Sequence, residues 1–235
     1  MACAGPLAND MDSMGIFLKT VIDARPWLHD ATAVDVPWRD VSQDFAGRKL
    51  RLGLLAEDPT YPLHPPVRKA LAEAVRLLEA AGHEVLRLTA EECQTARAGQ
   101  VAWQCFSLDD APSRAVDASG EPAIPSRVCT LERLRGVDMG FVADLPPSSG
   151  DDSNGGLKRL AALNVKRQEI EDRWRRVWVE RGRLDGVVAP AAQNTAVEHD
   201  EFGIPPYTML LNVLDVSLVP PFFSSADAWD VGRRC

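Results

Sequence analysis

A few short clusters in this chain hold side chains able to do chemistry. Glu198-His199-Asp200-Glu201 sets a histidine among three carboxylates, the composition of a metal site. Adjacent residues alternate direction in a strand and spread around a helix, so four in a row do not converge on one ion. The reading is a solvated loop and no bound metal. Arg173-Trp174-Arg175-Arg176 interleaves an aromatic ring with bases, as a single-stranded nucleic-acid surface does. Glu169, Glu171, Asp172 and Glu180 share that stretch, which makes it a solvated face of mixed charge. His29, His64 and His83 stand alone, the last two flanking helix ends, where capping or surface roles are expected. Tyr207, Thr208, Asn212 and Asp215 are polar residues within an apolar segment. If the segment is helical, Thr208, Asn212 and Asp215 share a face at steps of four and three. Buried polar groups must find partners, so structural hydrogen bonding is the first reading of these four residues.

The five cysteines (Cys3, Cys93, Cys105, Cys129 and Cys235) are odd in number and far apart, with no Cys-x-x-Cys. They predict free thiols in a reducing compartment. A formal net charge of -8 gives no global positive field for a phosphate backbone or an anionic bilayer, so neither nucleic acid nor membrane is expected as a partner. The apolar stretch from Pro205 to Phe223 is interrupted by Asn212, Asp215 and further prolines and serines. It falls short of the ~20 apolar residues that a membrane helix needs. Met1 to Pro6 holds neither a basic patch nor an apolar core, so no secretory leader is read there and a cytoplasmic location is expected.

The elements that must position these residues follow from periodicity. Met11, Met14, Phe17, Leu18, Val21 and Ile22 predict a helix over 9–24, capped by Asn9 or Asp10 and stopped by Pro26. Residues 26–46 read as loop. Residues 49–56 read as a buried strand. His64-Pro65-Pro66 opens a helix whose face Val67, Leu71, Ala74, Leu78 and Ala81 is apolar, with Gly82 as terminator. Residues 84–89 read as a second strand, parallel to the first through a right-handed crossover. A further helix is expected over 90–108, and mobile loops over 109–125 and 146–156 from their Asp, Ser, Gly and Pro content. A long helix over 157–181 turns Leu160, Leu163, Ile170, Trp174 and Val177 to one side. A short buried strand over 185–189 and a helix over 207–216 complete the pattern.

Five pieces in order carry a resemblance: Gly5-Pro6-Leu7-Ala8-Asn9-Asp10-Met11-Asp12, Arg25-Pro26-Trp27-Leu28 with Val36-Pro37-Trp38-Arg39, Leu50-Arg51-Leu52-Gly53-Leu54-Leu55 with His64-Pro65-Pro66-Val67, Ala81-Gly82-His83-Glu84-Val85, and Leu184-Asp185-Gly186-Val187-Val188-Ala189-Pro190 followed by Tyr207-Thr208 and Leu211-Asn212-Val213-Leu214-Asp215. They resemble the post-catalytic part of amidase signature hydrolases, of the acetamidase and fatty-acid-amide-hydrolase branch. The resemblance implies an α/β fold: a partial amidase-signature fold with a mixed β-sheet flanked by helices on both faces, cut at both ends, in one incomplete domain over 1–235.

In that family amides are hydrolysed through a Ser-Ser-Lys triad lying upstream of the Gly-Pro-Leu segment, so no catalytic residue carries over to this sequence. Lys69 and the Ser148-Ser149-Gly150 run mimic the order of such a triad. Yet Lys69 falls on the solvent side of its helix, and the serines lie among Pro146, Pro147, Asp151 and Asp152, with no rigid turn aiming amides at an oxyanion. The resemblance also places Tyr207, Thr208, Asn212 and Asp215 near the substrate channel, as candidate pocket residues. The expectation is an amidase-derived chain, inactive alone and without a cofactor. A small amide is its substrate only if the missing portion completes it. The alternatives are a binding or regulatory module, or half of a two-chain enzyme, using the leftover pocket or an exposed sheet edge. Self-association or a partner chain is expected in either case.

Overall fold

Strand β1 (Arg51–Leu54) is the organising element of the computed structural model, which describes residues 8, 10–109, 111–122, 125, 126, 128, 130, 132, 138–146, 155–201 and 203–216. The sheet order is β2-β1-β3, with β2 at Glu84–Arg87 and β3 at Gly186–Val188. Both neighbours run parallel to β1, Leu52 facing Val85 on one side and Gly186 on the other. The expected crossover is therefore present, and the described part of the sheet is parallel throughout. Leu52, Gly53 and Leu54 are all buried although successive side chains point to opposite faces, so both faces of β1 are covered. Gly53 fits that packing closely: a Cβ there would stand 3.0 Å from Leu184 Cδ1 and 3.2 Å from Leu88 Cδ1, so both leucines would have to give.

The chain divides into two units, residues 1–48 and 49–235. In the first, helix α1 (Met11–Asp23) begins where predicted, because the Asp10 carboxylate accepts from the Ser13 amide at 2.7 Å. That amide bond, with the Ser13 hydroxyl, holds the Asp10 carboxyl below its usual range. No residue of α1 is buried. Met14, Leu18 and Ile22 are half-buried, whereas Met11, Phe17 and Val21 from the same expected apolar set are exposed. The segment expected as loop over 26–46 contains a 3₁₀ turn, Pro26–Leu28, and a one-turn helix α2, Ser42–Phe45.

In the second unit, helix α3 (Pro65–Ala80) makes the crossover and ends at Gly82, whose φ of +88° is the left-handed geometry that glycine allows. The helix expected over 90–108 is broken into α4 (Ala90–Cys93) and α5 (Thr95–Phe106). Gln94 between them has φ 53° and ψ 34°. A tertiary bond accompanies the break: the Ala96 amide, in the first turn of α5, donates to the Asp58 carboxylate at 3.1 Å, while Thr89 and Glu92 close a local capping box at the start of α4.

The expectation of loop over 109–125 is corrected over part of its length, since helix α6 spans Ala111–Ser119 and stops before Gly120 at φ +74°. Ala111, Ala115 and Ala118 favour helix, and Pro112 sits in the first turn, where its missing amide costs no bond. The expected loop over 146–156 falls mostly outside the described residues, and helix α7 (Gly155–Glu180) already takes in Gly155 and Gly156. Leu163, Ile170, Trp174 and Val177 of α7 are buried as expected, but Leu160 is 40% exposed. They pack with Ala98, Val101 and Ala102 of α5 and with Met209, Leu210 and Val213 of helix α8 (Pro206–Val213). Among the described residues, no helix is long and apolar enough to cross a membrane.

Candidate functional site

Past β1 the chain turns at Asp58-Pro59-Thr60-Tyr61, and this turn gathers several buried polar groups. Asp58 is only 6% exposed. Its Oδ1 accepts from the Thr60 amide at 2.9 Å, an aspartate turn, and its Oδ2 accepts from the Ala96 amide at the start of α5. The Asp58 amide donates to the Tyr207 hydroxyl at 3.2 Å, and that hydroxyl donates to the Tyr61 carbonyl at 2.7 Å. Tyr207 is 1% exposed, with donor and acceptor both engaged. Burial pushes its phenol above the usual value, more than the Asp58 amide lowers it. Burial, aided by the Asp58 charge, raises the Tyr61 phenol too. Two neutral phenols and a fully bonded carboxylate make a rigid post, not a proton-transfer pair.

Beside the post lies a cavity of about 210 Å³ bounded by Tyr61, His64, Gln193, Asn194 and the Gly203–Pro205 stretch. The His64 amide donates to the Gln193 carbonyl at 3.0 Å, and Gln193 Nε2 donates to the Pro62 carbonyl at 2.8 Å, so the walls brace each other. His64 is exposed at the rim. The lining is amide, imidazole and apolar carbon, suited to holding a small neutral polar molecule rather than an ion.

The four sequence-predicted pocket residues all stand on or just past α8, but none lines this cavity. Tyr207 is the structural post. The Thr208 hydroxyl donates to the Pro205 carbonyl at 3.1 Å, back into its own helix start. Asn212 is exposed and donates to the Thr208 carbonyl at 3.1 Å. Asp215 is exposed past the helix end in left-handed geometry, φ 53°. Sequence reasoning missed Asp58, Tyr61 and the Gln193-Asn194 wall. The Asp-Pro-Thr run was a readable turn signal for the first two; a glutamine and an asparagine in a loop announce nothing.

Other reactive groups are held in structural roles. Cys93 Sγ accepts from the Ala56 amide at 3.4 Å, and burial pushes its thiol up to about 11, far from the thiolate a nucleophile requires. The Cys93 carbonyl accepts from Trp174 Nε1 at 2.9 Å, tying α4 to α7. Beside it Glu92 accepts from the Thr89 amide and from Arg181 Nε, each at 2.8 Å. Burial is the largest single influence on Glu92 and acts upward. The Thr89 amide and the Arg181 guanidinium together outweigh it and hold the carboxyl below its usual range. Lys69 is exposed on α3, while Ser148 and Ser149 lie outside the described residues. His199 and its acidic neighbours are exposed, and among the described residues no group of three or more His, Cys, Asp or Glu side chains could hold a metal ion.

The fold is similar to that of a solved fatty acid amide hydrolase. That structure matches with a TM-score of 0.68 at 24% identity, over 90% of this chain and 34% of that one. The likeness shows the fold. The sequence model of the Amidase family matches residues 1–230, and the chain belongs to that family. An amidase of Gibberella moniliformis is 32% identical over 227 residues, which cover 95% of this chain and 39% of the relative. An acetamidase of Emericella nidulans is 26% identical over 224 residues, 92% of this chain and 38% of the relative. The chain thus spans about two fifths of the length of these curated relatives.

Proposed function

We propose that this chain is an amide-hydrolase scaffold that cleaves no amide by itself and acts only when joined by the polypeptide bearing the attacking serines and their lysine. The observation that carries this reading is the asymmetry of the matches: relatives align along more than nine tenths of this chain but less than two fifths of their own length. Their remaining three fifths has ample room for a catalytic segment. The buried polar centre agrees, because the Asp58 carboxylate and the Tyr207 hydroxyl are committed to holding backbone. In the completed enzyme the cavity beside His64 and Gln193 is a wall of the amide-binding region. Such an enzyme needs no cofactor, and a cytoplasmic setting without nucleic acid or membrane as partner suits the chain's charge.

The test is direct. Purified chain is incubated with acetamide, benzamide and an anilide, and in parallel with a fluorophosphonate probe. Loss of a hydrolase's nucleophile costs on the order of 10⁶ in turnover, so neither product nor labelled serine is expected. Turnover near that of a full-length amidase, or an adduct on any serine of this chain, would refute the reading.

A second reading, association with itself or with a partner chain, is favoured by the first unit. Ile16, Leu28 and Val34 are 69%, 67% and 74% exposed, apolar side chains that a second chain would cover on association. Sedimentation at several concentrations separates the cases: a monomer throughout removes self-association, and co-purification with a serine-bearing amidase segment supports the two-chain form.

A further inference from the structure

The Arg173-Trp174-Arg175-Arg176 run becomes informative once its surroundings are visible. Arg173 and Arg176 line a cleft of about 340 Å³ together with Arg97, Gln94, Phe141 and the carboxylates of Glu169 and Asp172. On α7, Glu169, Asp172, Arg173 and Arg176 follow at the three- and four-residue steps of one helix face. Arg97 comes from the first turn of α5. Its guanidinium lies 5.2 Å from the centre of the Phe141 ring, a cation–π contact that restrains it. Phe141 is itself placed, because its amide donates at 3.0 Å to the side chain of the buried Gln100.

The cations of this cleft are only loosely engaged within it: the Arg176 charge acts on the Asp172 carboxylate, without a direct ion pair. Among the described residues, none of the three guanidiniums forms an ion pair or a hydrogen bond. The Asp172 carboxylate is engaged elsewhere, accepting from Arg175 at 3.0 Å and from Gln168 at 3.3 Å. Gln94, at the left-handed junction of α4 and α5, makes no side-chain cap bond there, so its amide is available as well. In a chain of net charge -8, three guanidinium forks with their hydrogen-bond donors open around one concavity are complementary to a compact oxyanion carrying more than one charge.

We propose that this cleft between α5 and α7 binds a phosphomonoester, the phosphate held by Arg97, Arg173 and Arg176 and the organic portion lying toward Gln94. A planar fork matches phosphate oxygens in pairs, and three forks match a dianion better than a single carboxylate. The proposal is independent of the amide-hydrolase reading, since no group of the cavity beside His64 takes part.

The experiment is calorimetric titration of the full 235-residue chain with phenyl phosphate, inorganic phosphate and the neutral analogue phenol. Saturable binding of phenyl phosphate, none of phenol, and weakening as salt is raised are expected. Inorganic phosphate binding as tightly as phenyl phosphate would support the site and name free phosphate as its ligand. Arg173→Ala with Arg176→Ala should weaken binding by about a hundredfold or more, at about tenfold for each guanidinium removed. Should that double variant unfold, Arg97→Gln should still weaken binding about tenfold, and Glu169→Gln should tighten it. No saturation up to about 10 mM, or equal affinity in the variants, overturns the proposal.

Discussion

Helices α1 and α8 are both rich in apolar side chains, yet they end up in opposite circumstances. On α8, Pro206, Tyr207, Met209, Leu210 and Val213 are buried; on α1 no residue is. The difference lies in what each sequence can join. Tyr207 reaches two backbone groups of the 58–61 turn, while its apolar neighbours meet α5 and α7, so apolar and polar partners are satisfied together. Helix α1 has a sound start in Asp10 and Ser13 and an ion pair between Lys19 and Asp23, but these are local devices that secure the helix without covering it. An amphipathic period reports that a face is to be covered. It does not say whether these residues supply the cover.

Substitutions can break or sharpen that contrast. The largest effect is expected at the post: Tyr207→Ala should destabilise the second unit by about 3–5 kcal/mol in urea unfolding, as for other large aromatics cut to alanine. Tyr207→Phe should cost about 1–3 kcal/mol, because it leaves the Asp58 amide and the Tyr61 carbonyl buried without a partner. If both changes were silent, the polar junction would not be what fixes α8. Next comes Gly53→Ala, whose methyl would crowd Leu184 and Leu88; a loss of about 1–3 kcal/mol is expected from the same measurement.

A pH series separates Glu92 from the rest. Its folded carboxyl lies below the unfolded value, so its contribution is present above the ordinary glutamate range and disappears as pH falls through the folded value. Glu92→Gln should therefore cost about 1 kcal/mol near neutrality, a figure kept small because Arg181 is partly solvated. The gap from the parent chain should close on acidification; a gap that widened would reverse the assignment. The smallest effect belongs to α1, where Phe17, at 54% exposure, should change stability by less than about 0.5 kcal/mol when replaced by serine. The same Phe17→Ser change should lower any self-association seen by sedimentation, and an unfolding shift of several kcal/mol would show that α1 is covered after all.

Much of the fold was legible because its signals were strong and local. The Pro65-Pro66 entry and Gly82 exit of α3, the alternation leading into β1 and the long stripe of α7 each stand within one turn or strand of where they were expected. The break at Gln94 was not legible, since the bond that accompanies it joins Ala96 to Asp58 across 38 residues. Helix α6 was hidden because Asp109, Gly120 and Pro122 gave the whole stretch a loop composition, although alanines fill its middle. The candidate site was less readable still. Of the four pocket candidates Tyr207 has its bonds to the 58–61 turn, whereas Thr208 and Asn212 bond back to carbonyls of their own segment and Asp215 stands exposed past the helix end. The cavity wall at Gln193-Asn194 depends on loops brought together in space, which no periodicity encodes.

The bond between Asp58 and Tyr207 joins positions 149 residues apart. During synthesis the 58–61 turn therefore emerges long before the hydroxyl that caps it, and the nascent polypeptide must wait with the Asp58 amide and the Tyr61 carbonyl wet and α5 without its last neighbour. Local helices can form in that interval, but the interior closes only when the final described helix clears the ribosome. A product clipped ahead of residue 206 would retain most of the sequence and lose the piece that locks it, leaving it open to proteases.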